Sequence, residues 1–169
     1  MIHFLGSSHA AQHLREAAIK RKVMVTDNVK EAQVIFISED TPTDPDGNRM
    51  LAPIHALVDQ VKDLGKPIVL TSQVPPGFTR ALGIKKIYHQ AETLRIKDAL
   101  ERAFSPEYIV VGCDAYYDYT NGFLPQAYKD YLDAFPCPKL MVTYEDAEYS
   151  KIAVNMMLAA QVEATNRLA

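Results

Sequence analysis

The sequence predicts an α/β domain built on a mostly parallel sheet with helices on both faces, followed by one long C-terminal helix. Three observations carry that prediction. Short apolar runs rich in valine and isoleucine alternate with longer segments of helical periodicity, the pattern of strands joined by helical crossovers. The runs are apolar throughout rather than alternating, as strands covered on both faces must be. From Tyr144 to Ala169 there is neither proline nor glycine, so nothing interrupts a helix of roughly 35 Å.

Taken in order, IHFLG (2–6) is the first strand, and the small polar SSH leads into AAQHLREAAIKRK, whose apolar residues recur at helical spacing. VMVT (23–26) reads as a brief strand and VIFIS (34–38) as a strong, β-branched one. DTPTDPDGN has the composition of a loop. A helix from about Ala52 to Leu64 precedes KPIVLTS (66–72), a buried strand that the proline pair at 75 and 76 ends. The alternation repeats with KKIYH (85–89) as strand, AETLRIKDALERAF as helix, YIVVG (108–112) as strand, LPQAYKDYLDAF as helix and KLMVT as strand. The expected division is an α/β domain over 1–143 and a long helix over 144–169.

A chain of 169 residues, 48% of them hydrophobic, has material for a sizeable core in one domain with a small appendage. Its longest apolar runs fall far short of the ~20 residues of a membrane span, and MIHFLGSSHA lacks the basic start of an export signal. The two cysteines, in VGCDA and FPCPK, have no metal-ligand or disulfide spacing, which suits a reducing cytoplasm. Eighteen basic against twenty-one acidic residues leave a charge of −3 without a basic cluster, so no nucleic-acid partner is expected. Of five histidines only His9 and His13 stand at a helical spacing for metal, and with no third ligand no metal site is expected. The group YYDYTNGF (116–123) reads as loop packing or a subunit contact.

The unusual segment is AEYSKIAVNMMLAA (147–160), where one lysine and one asparagine stand four apart in an apolar stretch. Lys151 and Asn155 share a helix side, with Glu148 one turn earlier. Around them Ile152, Val154, Met156, Met157, Leu158 and Val162 cover most of the circumference, so the helix is expected to be buried nearly all round. A two-fold partner is the simplest cover, and a homodimer through this helix is expected. For the polar stripe two readings stand side by side. Glu148 and Lys151 form an ordinary ion pair while Asn155 bonds a carbonyl, or the stripe holds a ligand.

EAQVIFISEDTPTDPDGN, IVLTSQVPPGFTR, AETLR, PEYIVVG and AEYSKIAVNMMLAAQVEATNRLA occur in the order and approximate spacing of the UDP-glucose/GDP-mannose dehydrogenases, and on these segments the chain resembles the N-terminal and central regions of that family. The resemblance implies a trimmed Rossmann-like fold and oxidation of a nucleotide sugar at C6 with NAD. It implies that Lys151 contacts the sugar and stabilises oxyanion charge, with Asn155 beside it, and that Glu92 binds the sugar and assists acid–base steps. Leu94 and Arg95 match the same substrate motif, and Thr41 with Pro42 matches the dipeptide that lies against the cofactor.

Four departures bear on that reading. GSSHAA replaces GxGxxG: Gly6 stands at the first position, Ser8 at the second, Ala11 at the third, and a serine at the second places a side chain where pyrophosphate should lie. IKRKVMVTDNVKEAQ passes directly into a later family segment, so the second Rossmann strand and its ribose-binding acid are missing, and Asp27 reads better as a cap. Gln73 replaces a threonine and Ile96 a glutamate of the family motifs. The sequence stops before the family's cysteine segment, and neither Cys113 nor Cys137 has its context.

The expected function is therefore that of a nucleotide-sugar 6-dehydrogenase-like protein. It would keep part of the sugar site, with NAD binding weakened or lost, and would be unable to turn over alone. It would be a remnant, a regulator, or half of a split enzyme whose C-terminal domain is a separate chain. Two alternatives stay open: a small NAD(P)-dependent β-hydroxyacid dehydrogenase-like enzyme, and a non-enzymatic dimerising module.

Overall fold

The computed structural model describes residues 1–92, 94–114 and 123–168. Six strands form one sheet in the order of the chain: β1 (Ile2–Leu5), β2 (Val34–Ile37), β3 (Ile68–Leu70), β4 (Ile87–Gln90), β5 (Ile109–Cys113) and β6 (Lys139–Thr143). Neighbours are parallel except β4 and β5, which run antiparallel. The parallel strands β1 to β4 thus end at the same edge, where side chains of an α/β sheet gather into sites.

Helices α1 (His9–Lys20), α4 (Ala99–Phe104) and α5 (Gln126–Asp133) lie on one face, where Leu14, Phe36, Tyr88, Tyr128 and Leu132 make an aromatic-rich core. On the other face α2 (Ala52–Val61), α3 (Phe78–Ala81) and the start of α6 (Tyr144–Leu168) cover Ile35, Ile37, Ile68, Leu70 and Ile87. Strand alternation divides the two: along β4, Tyr88 faces α5 and Ile87 faces α6.

Two glycines mark places where backbones touch. Gly6, at φ +120°, ends β1, and a Cβ there would stand 2.0 Å from the Ser38 carbonyl. Gly112 in β5 lets α6 descend onto the sheet, since a Cβ there would lie 2.7 Å from that of Ala147.

Three expectations need correction. VMVT is not a strand; Val25 alone makes an isolated bridge to Ile2, because Met24 accepts from and Thr26 donates to the two sides of a single residue before the chain turns away. AETLR is not helical: Ala91, Glu92, Leu94 and Arg95 lie in irregular chain, a 3₁₀ turn begins only at Ile96, and α4 only at Ala99. The last helix is not buried nearly all round within the chain, because it outruns the sheet: Tyr144, Ala147 and Glu148 are buried, whereas Met156, Met157, Leu158 and Val162 are 55–62% exposed. The tyrosine group at 116–123 falls, apart from Phe123, outside the described residues. No helix among the described residues is long and apolar enough to cross a membrane.

Candidate active site

At the edge where β1 to β4 end, the chain between β4 and α4 meets α6, and there the structure brings together two of the residues singled out from the sequence. Lys151 Nζ stands 3.7 Å from Glu92 Oε2, with each side chain less than one-fifth exposed. The backbone of Leu94 ties the pair. Its N–H donates to Glu92 Oε1 and its carbonyl accepts from Lys151 Nζ at 3.4 Å. This is why AETLR cannot be a helix: a carboxylate that accepts from the amide two residues on closes a local turn that competes with helical hydrogen bonding. Burial pushes the Glu92 carboxyl above its ordinary value, against the pull of the Lys151 charge and of the Leu94 N–H.

The ordinary Glu148–Lys151 ion pair is not formed. Glu148 is 1% exposed, and its two oxygens accept from Gly77 N–H at 2.5 Å and Thr79 N–H at 2.7 Å, so it closes the start of α3 instead. Lys151 is left to Glu92. The polar stripe on α6 therefore serves two separate partners, one structural and one at the sheet edge.

Asn155 does not join Glu92 directly. It is exposed one turn beyond Lys151, and with Lys151, Leu94, Arg95, Arg102 and Leu158 it lines a cleft of about 560 Å³ between α6 and α4. Arg95 is held at its rim by Asp98, which also accepts from Arg102. A second cleft of about 330 Å³ lies over the strand ends and is bordered by Ser8, Thr41, Pro42, Arg49, Gln73 and Glu92. Glu92 thus stands where the two clefts approach each other, with Lys151 behind it. Between them a cavity of about 10 Å³, on the scale of one water, is walled by Ser72, Gln73, His89, Glu92, Glu148 and Lys151.

The residues matched to a dinucleotide site lie around the second cleft, but their arrangement differs from the one expected. Ser8 does not point outward. Its hydroxyl is buried, accepts from Ala11 N–H at 3.1 Å as the cap of α1, and meets the Ser38 carbonyl and hydroxyl at 3.0 Å. The obstruction comes from Glu39 instead, whose carboxylate accepts from the Ser7 N–H at 2.9 Å and the Ser7 hydroxyl at 3.1 Å. A side-chain anion therefore sits at the helix start, where α/β folds ordinarily bind phosphate. Gly6 is needed for the contact with Ser38, and the Thr41 hydroxyl donates to the Gln73 carbonyl at 2.6 Å, which fixes the TP dipeptide to the β3 loop.

Asp27 is engaged as a surface partner of Arg15 at 2.8 Å. His9 and His13 meet as their spacing predicts, Nε2 to Nε2 at 2.9 Å, but no group of three potential ligands for a metal occurs among the described residues. Cys113 is buried in β5, where desolvation and the Asp114 charge push its thiol up to about 12. Burial also raises the Cys137 thiol, against the pull of Lys139 and Arg21.

Three site residues had no signal in the sequence beyond their type: Glu39, Ser72 and His89. Ser72 accepts from the Glu39 N–H at 2.8 Å. His89 was legible as a strand residue, and period-2 alternation assigns it the face opposite Tyr88, but only tertiary structure sets it against Glu92 and Lys151.

The comparisons with known proteins follow the same geometry. The UDP-glucose dehydrogenase of the hyperthermophilic archaeon Pyrobaculum islandicum superimposes with a TM-score of 0.73 at 22% identity, over 99% of this chain and 51% of that one. The fold is that of the nucleotide-sugar dehydrogenases. The GDP-mannose dehydrogenase of Pseudomonas aeruginosa, solved as a ternary complex, gives a TM-score of 0.69 at 20% identity over 95% of this chain and 41% of its own. In sequence, YtcA of Bacillus subtilis, provisionally named a UDP-glucose 6-dehydrogenase, is 30% identical over 162 residues, which are 86% of this chain and 36% of YtcA. The chain thus spans about a third to a half of these nucleotide-sugar dehydrogenase relatives. No protein-family model matches it.

Proposed function

We propose that this chain is a nucleotide-sugar dehydrogenase-like protein that keeps part of a sugar-binding site and does not complete an oxidation by itself. The observation that carries the reading is the Lys151–Glu92 pair, held by Leu94 at the junction of two clefts. A largely desolvated ammonium is a strong donor to a sugar oxygen. Glu92, raised by burial, holds or releases a proton nearer neutral pH than an ordinary carboxyl. Asn155 and Arg95 border the wider cleft, which has room for the sugar and its diphosphate.

The dinucleotide loop does not fit NAD as it stands. Glu39 fills the Ser7 amide, and Ser8 turns its hydroxyl to Ser38, so a pyrophosphate would meet a carboxylate. Cofactor binding is weakened accordingly. Neither cysteine has the features of an activated nucleophile, since both thiols are raised rather than lowered. The protein is then a remnant, a regulator, or one half of a site completed by a separate C-terminal-domain chain.

Calorimetric titration with UDP-glucose, GDP-mannose, NAD and NADH tests the reading. One nucleotide sugar is expected to bind, Lys151→Met to abolish that binding, and NAD to bind weakly without turnover. Oxidation of a small hydroxy acid with NAD would favour the β-hydroxyacid dehydrogenase-like alternative. No binding of any of the four would favour the dimerising module and defeat the proposal.

A homodimer belongs to the same reading. Val154, Met156, Met157, Leu158 and Val162 stand exposed on the part of α6 that outruns the sheet, and a second copy covers them without further sequence.

A further inference from the structure

The site holds one buried polar side chain that the reading above leaves without a task. His89 lies inside β4, 2% exposed, on the face covered by α6. Its neighbour Gln90 points the opposite way and accepts from the Tyr128 hydroxyl at 3.1 Å. The interior position of a covered strand ordinarily carries Val or Ile, because an imidazole there must be desolvated. That cost is met when both ring nitrogens find partners. Only one does within the described residues: Nδ1 lies 3.5 Å from the Thr79 hydroxyl. The Nε2 atom has no hydrogen bond among the described residues. The ring instead walls the small cavity that it shares with Ser72, Gln73, Glu92, Glu148 and Lys151.

We propose that His89 is a ligand-binding residue of this site, whose Nε2 hydrogen-bonds a single hydroxyl of a carbohydrate ligand between Lys151 and Glu92. The inference deepens the nucleotide-sugar reading and rests on it. Three observations support it together. The cavity of about 10 Å³ has the size of one water and hence of one hydroxyl group. A hydroxyl both donates and accepts. Lys151 only donates and Glu148 is already committed to Gly77 and Thr79, so the neutral imidazole completes the set of partners next to Glu92. His89 thereby distinguishes a ligand that presents a hydroxyl at this depth from one that ends at the diphosphate.

The test uses the full chain labelled with ¹⁵N-histidine and titrated with UDP-glucose and with UDP alone. On binding UDP-glucose, Nε2 of His89 is expected to shift in its ¹⁵N resonance while UDP leaves it unmoved. His89→Leu is expected to lower UDP-glucose affinity about tenfold and UDP affinity by less than about twofold, with His89→Gln recovering part of the loss. If the wild-type protein binds UDP-glucose and the His89 resonance does not move, the inference fails and the nucleotide-sugar reading survives. Equal losses for UDP and UDP-glucose in His89→Leu would also overturn it, as the signature of a residue that only packs. If neither UDP-glucose nor GDP-mannose binds the wild-type protein, both fall together.

Discussion

Replacing His89 by glutamine gives the sharpest test of what the buried imidazole costs the fold. Desolvation lowers its pKa from 6.5 to about 3. The folded protein therefore keeps it neutral while the unfolded chain protonates it below pH 6.5, so between these values the unfolded state binds more protons. By linkage, stability from this group is fully present above pH 6.5 and is lost as pH falls toward 3. Working at ~1.36 kcal/mol per tenfold change, the loss between pH 7 and pH 4.5 is about 2.5 kcal/mol from His89 alone. Of the groups around it, Glu92 acts with the opposite sign, since its raised carboxyl takes up a proton earlier in the folded state. Glu148 and Lys151 complete the charged surroundings. All three remain in the variant, so the difference between the proteins isolates His89. Urea unfolding followed by far-UV circular dichroism, needed because the chain has no tryptophan, is expected to show a wild-type midpoint that drops by about 1 M more than that of His89→Gln over this range. Equal drops in the two proteins would refute the assignment of a buried, neutral imidazole.

Other substitutions test separate parts of the argument. Gly6→Ala puts a Cβ 2.0 Å from the Ser38 carbonyl at φ +120° and is expected to cost about 3 kcal/mol or more in thermal unfolding; a change below 1 kcal/mol would mean that β1 and β2 part easily. Glu148→Ala removes the acceptor of two backbone amides, one of them in the core, with an expected loss of about 2–4 kcal/mol that Glu148→Gln recovers in part. Iodoacetamide is expected to spare Cys113 in the folded protein and to modify Cys137 slowly, which mass mapping of the alkylated chain reads directly. Light scattering is expected to give a dimer that Met157→Glu with Leu158→Glu converts to a monomer; a wild-type monomer at micromolar concentration would count against the proposed interface.

Much of this fold was legible because strands and helices differ in period. VIFI and IVL, apolar at every position, announced strands covered on both faces, and each is buried throughout. The unbroken run from Tyr144 became α6 to within the described end of the chain. Illegible features were those in which a side chain overrides local propensity. Glu92 bends its own segment by accepting from Leu94, so the helix that the composition announces from Ala91 begins only at Ala99, after a 3₁₀ turn at Ile96. Glu148 looked like a partner for Lys151 at helical spacing, but Gly77 and Thr79, some seventy residues away in sequence, hold it instead. Spacing on one helix says which side chains share a side and not which of them another element will claim. The same limit hid His89, whose residue type was visible but whose cavity is built from four separate segments.

The position of Glu39 links the two halves of the functional proposal. A helix start with free amides attracts an anion, and here the chain supplies its own through Ser7. A phosphate entering this loop must displace a carboxylate or lie beside it, and at ~1 Debye length or less the repulsion is not screened. Glu39→Gln keeps a hydrogen-bond acceptor but removes the charge, so it is expected to raise affinity for NAD by about tenfold or more while leaving nucleotide-sugar binding at Lys151 unchanged. Calorimetry with each ligand separates the outcomes. A variant that binds NAD no better than the wild type would show that the loop's own serines, and not the glutamate, exclude the cofactor. Nucleotide-sugar affinity that changed in step with NAD would show that the two clefts act as one.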